Sequence, residues 1–116
     1  MPEEDCIFCK IAKREINASV EYEDDDVVAF QDLNPQAPVH LLVIPKRHIA
    51  KIGDLGPEDA DILFKLIDAS NKLAQKFNMA EEGYRLVINS GDNGGQTVYH
   101  LHVHVLGGRF MRWPPG

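Results

Sequence analysis

Three histidines alternate with apolar residues near the end of the chain, at His100, His102 and His104. Side chains of a β-strand alternate between its two faces, so on a strand these three would share one side. Two of them could chelate zinc and leave a position open for water, or one neutral imidazole could attack phosphorus while its neighbours supply protons. A solvated polar face is the alternative, and three imidazoles in register argue against it.

A glycine-rich loop comes directly before the histidines, from Asn89 to Thr97. Glycines allow backbone N–H groups to turn toward an anion, and the side chains of Gln96 and Thr97 add further donors. A flexible hairpin connection would have a similar composition. The loop and the histidines together favour phosphoryl chemistry.

Both cysteines lie near the beginning of the chain, at Cys6 and Cys9. Their spacing is too short for a useful disulfide staple and suits either a metal site or a redox pair. A thioredoxin-like pair follows a strand inside a βαβ unit, for which we expect no room before Cys6. A metal site and two free buried cysteines both stay open as interpretations.

Five apolar segments have the composition of strands, and two other segments have helical spacing. The strand segments are residues 20–23, 27–30, 40–44, 84–88 and 100–106. The sequence predicts a turn at 24–26 between the first two strands and an end of the third strand before Pro45. Residues 7–12 predict a short helix, and Pro57 begins a long one. The apolar stripe of the long helix is Ala60, Leu63, Ile67, Leu73, Ala74 and Phe77.

The connections between the strands are mostly too short for parallel crossovers, which predicts a largely antiparallel sheet and the α+β class. A chain of 116 residues, 44% of them hydrophobic, can bury one modest core, so we expect a single domain over residues 1–116. One long helix cannot cover every apolar strand position. We therefore expect a second copy to supply the missing cover in a homodimer.

The formal net charge of -6 argues against a grip on nucleic-acid polymers, because that grip needs a basic surface. One phosphate group needs only local donors, so a small phosphorylated ligand stays possible. The sequence has no signal-peptide pattern and no apolar stretch long enough for a membrane span. We expect a cytoplasmic protein without a membrane partner.

The segment Gly95–Leu106 resembles the His-φ-His-φ-His-φ-φ signature of the histidine triad superfamily, φ being an apolar residue. The resemblance extends over Asp32–His40 and Val43–Ile49, and the ending at 106–116, with Trp113-Pro-Pro-Gly116, looks like the Hint branch of histidine triad nucleotide-binding proteins. It implies a HIT-like fold in which His102 attacks the α-phosphate of a nucleotide and forms a nucleotidyl-histidine that water hydrolyses.

The resemblance also implies the substrates and the residues that would bind them. The substrates would be purine nucleoside phosphoramidates or aminoacyl adenylates. Support for the nucleophile would come from His40, His100 and His104. Phosphate would be held by Asn89, Gly95, Gln96 and Thr97. Asp32 would accept from the ribose hydroxyls, and the purine would lie among Ile7, Phe8, Ile11, Phe30 and Leu33.

Related branches carry a cysteine pair like this one, which implies a structural zinc and no organic cofactor. Its ligands would be Cys6, Cys9, His48 and His100. Three other functions stay open. They are a dinucleoside polyphosphate hydrolase of the same superfamily, a nucleotide-binding interaction module without catalysis, and a hydrolase with catalytic zinc on all three triad histidines.

Overall fold

The computed structural model describes residues 3–116, and within them it contains one five-stranded sheet and two α-helices. The strands are β1 (Val20–Glu23), β2 (Val27–Gln31), β3 (Val39–Pro45), β4 (Tyr84–Val87) and β5 (Val103–Gly107). The helices are α1 (Ile7–Ala12) and α2 (Ala60–Lys76). The strand order is β1-β2-β3-β5-β4, with every neighbouring pair antiparallel. The predicted α+β class is confirmed.

Different helices cover the two faces of the sheet, because successive side chains of a strand point to opposite sides. The α2 face carries Val27, Ala29, Leu41, Val43, Val103 and Val105, which pack with residues of α2. The α1 face carries Val28, Phe30, Leu42 and Ile44, which pack with Phe8, Cys9 and Ile11. Part of the cover that one long helix could not supply therefore comes from α1 of the same chain.

The long helix differs from its prediction in where it begins and in which side is buried. A 3-10 turn occupies Pro57–Asp59, and the α-helix begins only at Ala60. Its buried residues are Leu66, Ala69, Ser70, Leu73 and Ala74. Of the predicted stripe, Ala60 is exposed and Leu63 and Ile67 are only half-buried. Apolar residues lie on so much of the helix surface that periodicity alone fits both the predicted stripe and the adjacent one that the structure buries. None of the described helices is both apolar enough and long enough to cross a bilayer.

The histidine strand begins later than predicted, since β5 starts at Val103 rather than at His100. The residues just before it run beside the chain that follows β3, where Leu101 N–H donates to the Ile49 carbonyl at 2.7 Å. The side chains still alternate, because Leu101 packs in the same core as Val103 and Val105. The remaining strand bounds differ from the prediction by one residue at an end: β2 ends at Gln31, β3 runs from Val39 to Pro45, β4 ends at Val87 and β5 ends at Gly107.

Candidate active site

Strand register brings His40 and His104 together. In the β3–β5 ladder His40 lies opposite Leu106 and Leu42 lies opposite His104. His40 and His104 are therefore diagonal neighbours on the α1 face, close enough for long side chains to meet. Their ring atoms His40 Nε2 and His104 Nδ1 are 2.9 Å apart.

His102 is held as a neutral imidazole with one free nitrogen. Its Nδ1 lies 2.7 Å from the backbone carbonyl of His100, and a carbonyl can only accept, so Nδ1 carries the ring proton and donates. The lone pair is then on Nε2. Burial lowers the pKa of His102, with the bond to the His100 carbonyl acting in the opposite direction. At neutral pH the ring can act as a nucleophile through Nε2.

A chain of hydrogen bonds fixes the tautomers of the other two site histidines. The backbone N–H of Gln36 donates to Nδ1 of His40 at 3.0 Å, so the single proton of neutral His40 is on Nε2. His40 Nε2–H donates in turn to Nδ1 of His104, which leaves the His104 proton on Nε2. Burial, reinforced by His102 and His40, lowers the pKa of His104 to about 4. His104 is therefore a neutral donor through Nε2.

Asp32 completes this group, with its Oδ2 3.4 Å from Nε2 of His40. The ligand atoms of Asp32, His40 and His104 all lie within 4.8 Å of one another, as in a metal site. A metal would need the Nε2 lone pair of His40, but Gln36 N–H already occupies the lone pair on Nδ1. One neutral imidazole has only one lone pair to give. This trio suits proton transfer better than metal binding.

A cavity of about 280 Å³ opens beside the histidines and is lined by His102, His104 and Thr97. Its remaining wall includes all six residues that the sequence assigns to ribose and base: Ile7, Phe8, Ile11, Phe30, Asp32 and Leu33. His100 does not line it. A wall segment that sequence analysis missed is residues 16–19, between α1 and β1. A polar connection without periodicity gave no signal for it.

The glycine-rich loop is braced by the side chain of Gln96, which is buried. Its amide nitrogen donates to the carbonyls of Ala50 and Val98 at 2.8 and 3.0 Å, and its amide oxygen accepts from Gly91 N–H at 2.9 Å. Gly95 takes the left-handed conformation at φ +87°, which glycine adopts without strain. Of the four predicted phosphate residues, Thr97 lines the cavity, whereas Asn89, Gly95 and Gln96 build the loop beside it.

A larger groove of about 390 Å³ lies elsewhere, near the start of α2. Its walls are charged side chains that pair with one another, such as Lys65 with Asp26 at 2.7 Å and Arg47 with Asp59 at 3.2 Å. Neither histidine nor cysteine is among its lining residues. The groove therefore lacks the histidine side chains that line the cavity beside the triad.

Four side chains that could hold a metal ion meet in a second cluster: Cys6, Cys9, His48 and His100. Nδ1 of His100 is 3.2 Å from Sγ of Cys6 and 3.4 Å from Sγ of Cys9, and Nδ1 of His48 is 3.2 Å from Sγ of Cys9. Metal–sulfur bonds of about 2.3 Å and metal–nitrogen bonds of about 2.0 Å in a tetrahedron give sulfur–nitrogen edges of about 3.5 Å. The residues present fit one four-coordinate metal.

The protonation of His100 supports the same conclusion. Its Nε2–H donates to the Pro45 carbonyl at 2.8 Å, which leaves the Nδ1 lone pair facing the two sulfurs. Burial lowers the pKa of His100 to about 4, so the ring is a neutral ligand. Burial and the adjacent Cys6 thiol raise the pKa of Cys9 to about 12, and a cation at this position would stabilise its thiolate.

An antiparallel α+β fold in which His102 and His104 line one cavity, with His40 bonded to His104, is that of a histidine triad protein. The chain belongs to the HIT domain family, whose sequence model matches residues 13–111. An uncharacterized HIT-like protein of Synechococcus elongatus is 53% identical over 113 residues, with 97% of this chain and 98% of the relative covered.

Solved structures show the same similarity. A HIT family hydrolase from Legionella pneumophila is 54% identical with a TM-score of 0.94, covering 96% of this chain and 99% of that chain. A histidine triad nucleotide-binding protein from Candida albicans is 34% identical with a TM-score of 0.79, covering 86% of this chain and 72% of that chain. The HIT-like fold expected from the sequence is confirmed.

Proposed function

We propose that the protein hydrolyses purine nucleoside phosphoramidates or aminoacyl adenylates to the nucleoside monophosphate, with His102 as nucleophile. The observation that carries this proposal is the tautomer of His102. Its Nδ1–H donates a hydrogen bond to the His100 carbonyl, so the lone pair is on Nε2 of a ring that lines the cavity. A neutral, oriented imidazole is the group that covalent catalysis at phosphorus requires.

The reaction proceeds in two steps, formation of a nucleotidyl-histidine and its hydrolysis. In the first, Nε2 of His102 bonds to phosphorus, the phosphorus–nitrogen bond of the substrate breaks, and the leaving nitrogen keeps that electron pair. His104 Nε2–H donates a hydrogen bond to that nitrogen, which takes a proton from a solvent water and departs as a neutral amine. In the second step the oxygen of the hydroxide left by that water bonds to phosphorus, and the phosphorus–Nε2 bond breaks. The products are the amine and the nucleoside monophosphate.

The rest of the cavity supports a nucleoside. Phe8 and Phe30 pack edge to face with ring centroids 5.5 Å apart, beside the aliphatic side chains of Ile7 and Ile11. Such an apolar wall suits a flat base. Asp32 lies between this wall and the histidines, where its carboxylate can accept from ribose hydroxyls. The Candida relative is named as nucleotide-binding, which agrees with this proposal.

Comparison of substrates tests the proposal. We expect adenosine 5′-phosphoramidate to be turned over with a kcat/KM at least about 10-fold above that of diadenosine polyphosphates, since one amine leaves where the second nucleotide would have to fit. The measurement is release of adenosine monophosphate from both substrates by one enzyme preparation. The reverse preference would assign the protein to polyphosphate hydrolysis. Binding of nucleotide without turnover of either substrate would assign it to the interaction modules.

We also propose a homodimer. On α2, Leu63 and Ile67 are half-buried and Phe64 is 66% exposed. The edge strand β4 contacts the same helix, where the Tyr84 hydroxyl donates to Oδ1 of Asn71 at 2.6 Å. An apolar helix side beside an unpaired sheet edge is typical of an interface between copies.

Sedimentation equilibrium is expected to give a dimer mass, with Phe64→Lys shifting the mass toward the monomer. A control variant, Leu33→Ser, removes an exposed apolar residue elsewhere and is expected to stay dimeric. A monomeric wild-type protein at micromolar concentration would contradict the proposal.

A further inference from the structure

Arg109, an exposed residue two positions after the end of β5, donates hydrogen bonds that reach the loop preceding β3. Its Nη2 donates to the backbone carbonyl of Gln36 at 2.9 Å, and its Nη1 donates to the Phe110 carbonyl at 3.0 Å. One guanidinium therefore ties the C-terminal segment to the loop. Planar, fixed donors make arginine better suited to this double contact than lysine.

The two segments are also packed tightly at this point. Gly108 has φ +89°, and a Cβ atom placed on it would lie 2.8 Å from Cβ of Pro38. Only glycine allows the C-terminal segment to approach so closely without moving the loop. The Arg109 contact is thus part of a fitted interface between residues 107–110 and the loop at 34–38.

The loop contact reaches the site histidines through the backbone. Gln36 accepts from Arg109 through its carbonyl and donates through its N–H to Nδ1 of His40. That N–H places the His40 proton on Nε2, and His40 Nε2–H then places the His104 proton on its own Nε2. The orientation of Gln36 therefore decides which nitrogen of His104 can donate toward the cavity.

We propose that Arg109 is a positioning residue that holds Gln36 in the orientation that fixes the tautomers of His40 and His104. The assignment rests on the proposed function only for its effect on turnover. The tautomers themselves can be read without any substrate, so failure of one proposal is distinguishable from failure of the other.

The test combines tautomer measurement with kinetics. In wild-type protein at mildly alkaline pH, nitrogen-15 NMR is expected to show protonated Nε2 and unprotonated Nδ1 on both His40 and His104. In Arg109→Ala, the nitrogen-15 chemical shifts of His40 are expected to move toward the average of its two tautomers. We expect kcat for the phosphoramidate to fall by about threefold to tenfold, the factor that one hydrogen bond supplies, with KM changed less than kcat.

Two further variants complete the design. Arg112→Ala removes the same charge from the same segment and keeps the backbone carbonyl that Arg85 contacts, so it is expected to leave tautomers and kcat unchanged. Arg109→Lys keeps one donor for the Gln36 carbonyl and is expected to recover part of the loss. Unchanged His40 signals in Arg109→Ala, or an equal loss of kcat in Arg112→Ala, would overturn the proposal.

Discussion

His102→Ala is expected to lower kcat for adenosine 5′-phosphoramidate by about 10³-fold or more, because it removes the nucleophile and with it the covalent route. Affinity for adenosine monophosphate is expected to stay within about 10-fold of wild type, since the base and ribose wall lies outside the substituted ring. The measurements are steady-state turnover and a direct binding titration.

A trapping experiment separates the proposed nucleophile, His102, from the hydrogen-bond donor, His104. Rapid quenching under alkaline conditions, followed by mass spectrometry of the intact protein, is expected to show a nucleotidyl adduct in the wild type. The matched variant His104→Gln replaces the oriented ring N–H by an amide N–H and keeps His102 intact. It is therefore expected still to form the adduct, but more slowly than the wild type. His102→Ala is expected to form none. An adduct in His102→Ala, or full activity of that variant, would place the nucleophile elsewhere.

The stability of His102→Ala must be measured together with its turnover. His102 is only 6% exposed, and its ring lies edge to face with Phe8 at a centroid distance of 5.2 Å, so alanine leaves a gap next to α1. Such a gap lowers the free energy of unfolding by about 1 to 3 kcal/mol. Thermal unfolding then shows whether lost turnover reflects chemistry or loss of fold.

The alternation of residue types was enough to predict which side of the histidine segment faces the core and which side carries the histidines. Leu101, Val103 and Val105 lie in the core under α2, and His102 and His104 line the cavity on the opposite face. The prediction holds even though the ladder begins only at Val103. The preference of apolar side chains for burial acts on extended backbone whether or not a neighbouring strand is paired with it.

The hydrogen-bonded chain from Gln36 through His40 to His104 could not be predicted from the sequence, because it depends on strand register and on backbone groups. His40 and His104 are 64 positions apart and meet only because β3 and β5 pair with Leu42 opposite His104. The donor that fixes His40 is the main chain of Gln36, which any residue except proline would provide. A residue type carries no signal for such a contact.

Loss of the proposed metal is expected to lower the stability of the fold strongly. We propose that Cys6, Cys9, His48 and His100 hold one structural zinc per chain, and inductively coupled plasma mass spectrometry of protein purified without chelator is expected to find about one equivalent. Cys9→Ser is expected to lose the metal and to lower Tm by about 10 °C, because a ligand bound only by the folded chain adds several kcal/mol to its stability. His40→Gln, which changes a buried histidine outside the cluster, is expected to keep the metal.

The same residues connect this cluster to turnover and distinguish a structural metal from a catalytic one. His100 offers its ring to the cluster and its backbone carbonyl to Nδ1 of His102, so loss of a bound metal would loosen the group that orients the proposed nucleophile. A tetrahedral zinc held by these four side chains would have no open position for substrate or water. Replacement of zinc by cadmium is therefore expected to change kcat by less than about threefold, whereas a catalytic metal would change it far more. Metal-free wild-type protein with full stability would contradict the structural assignment.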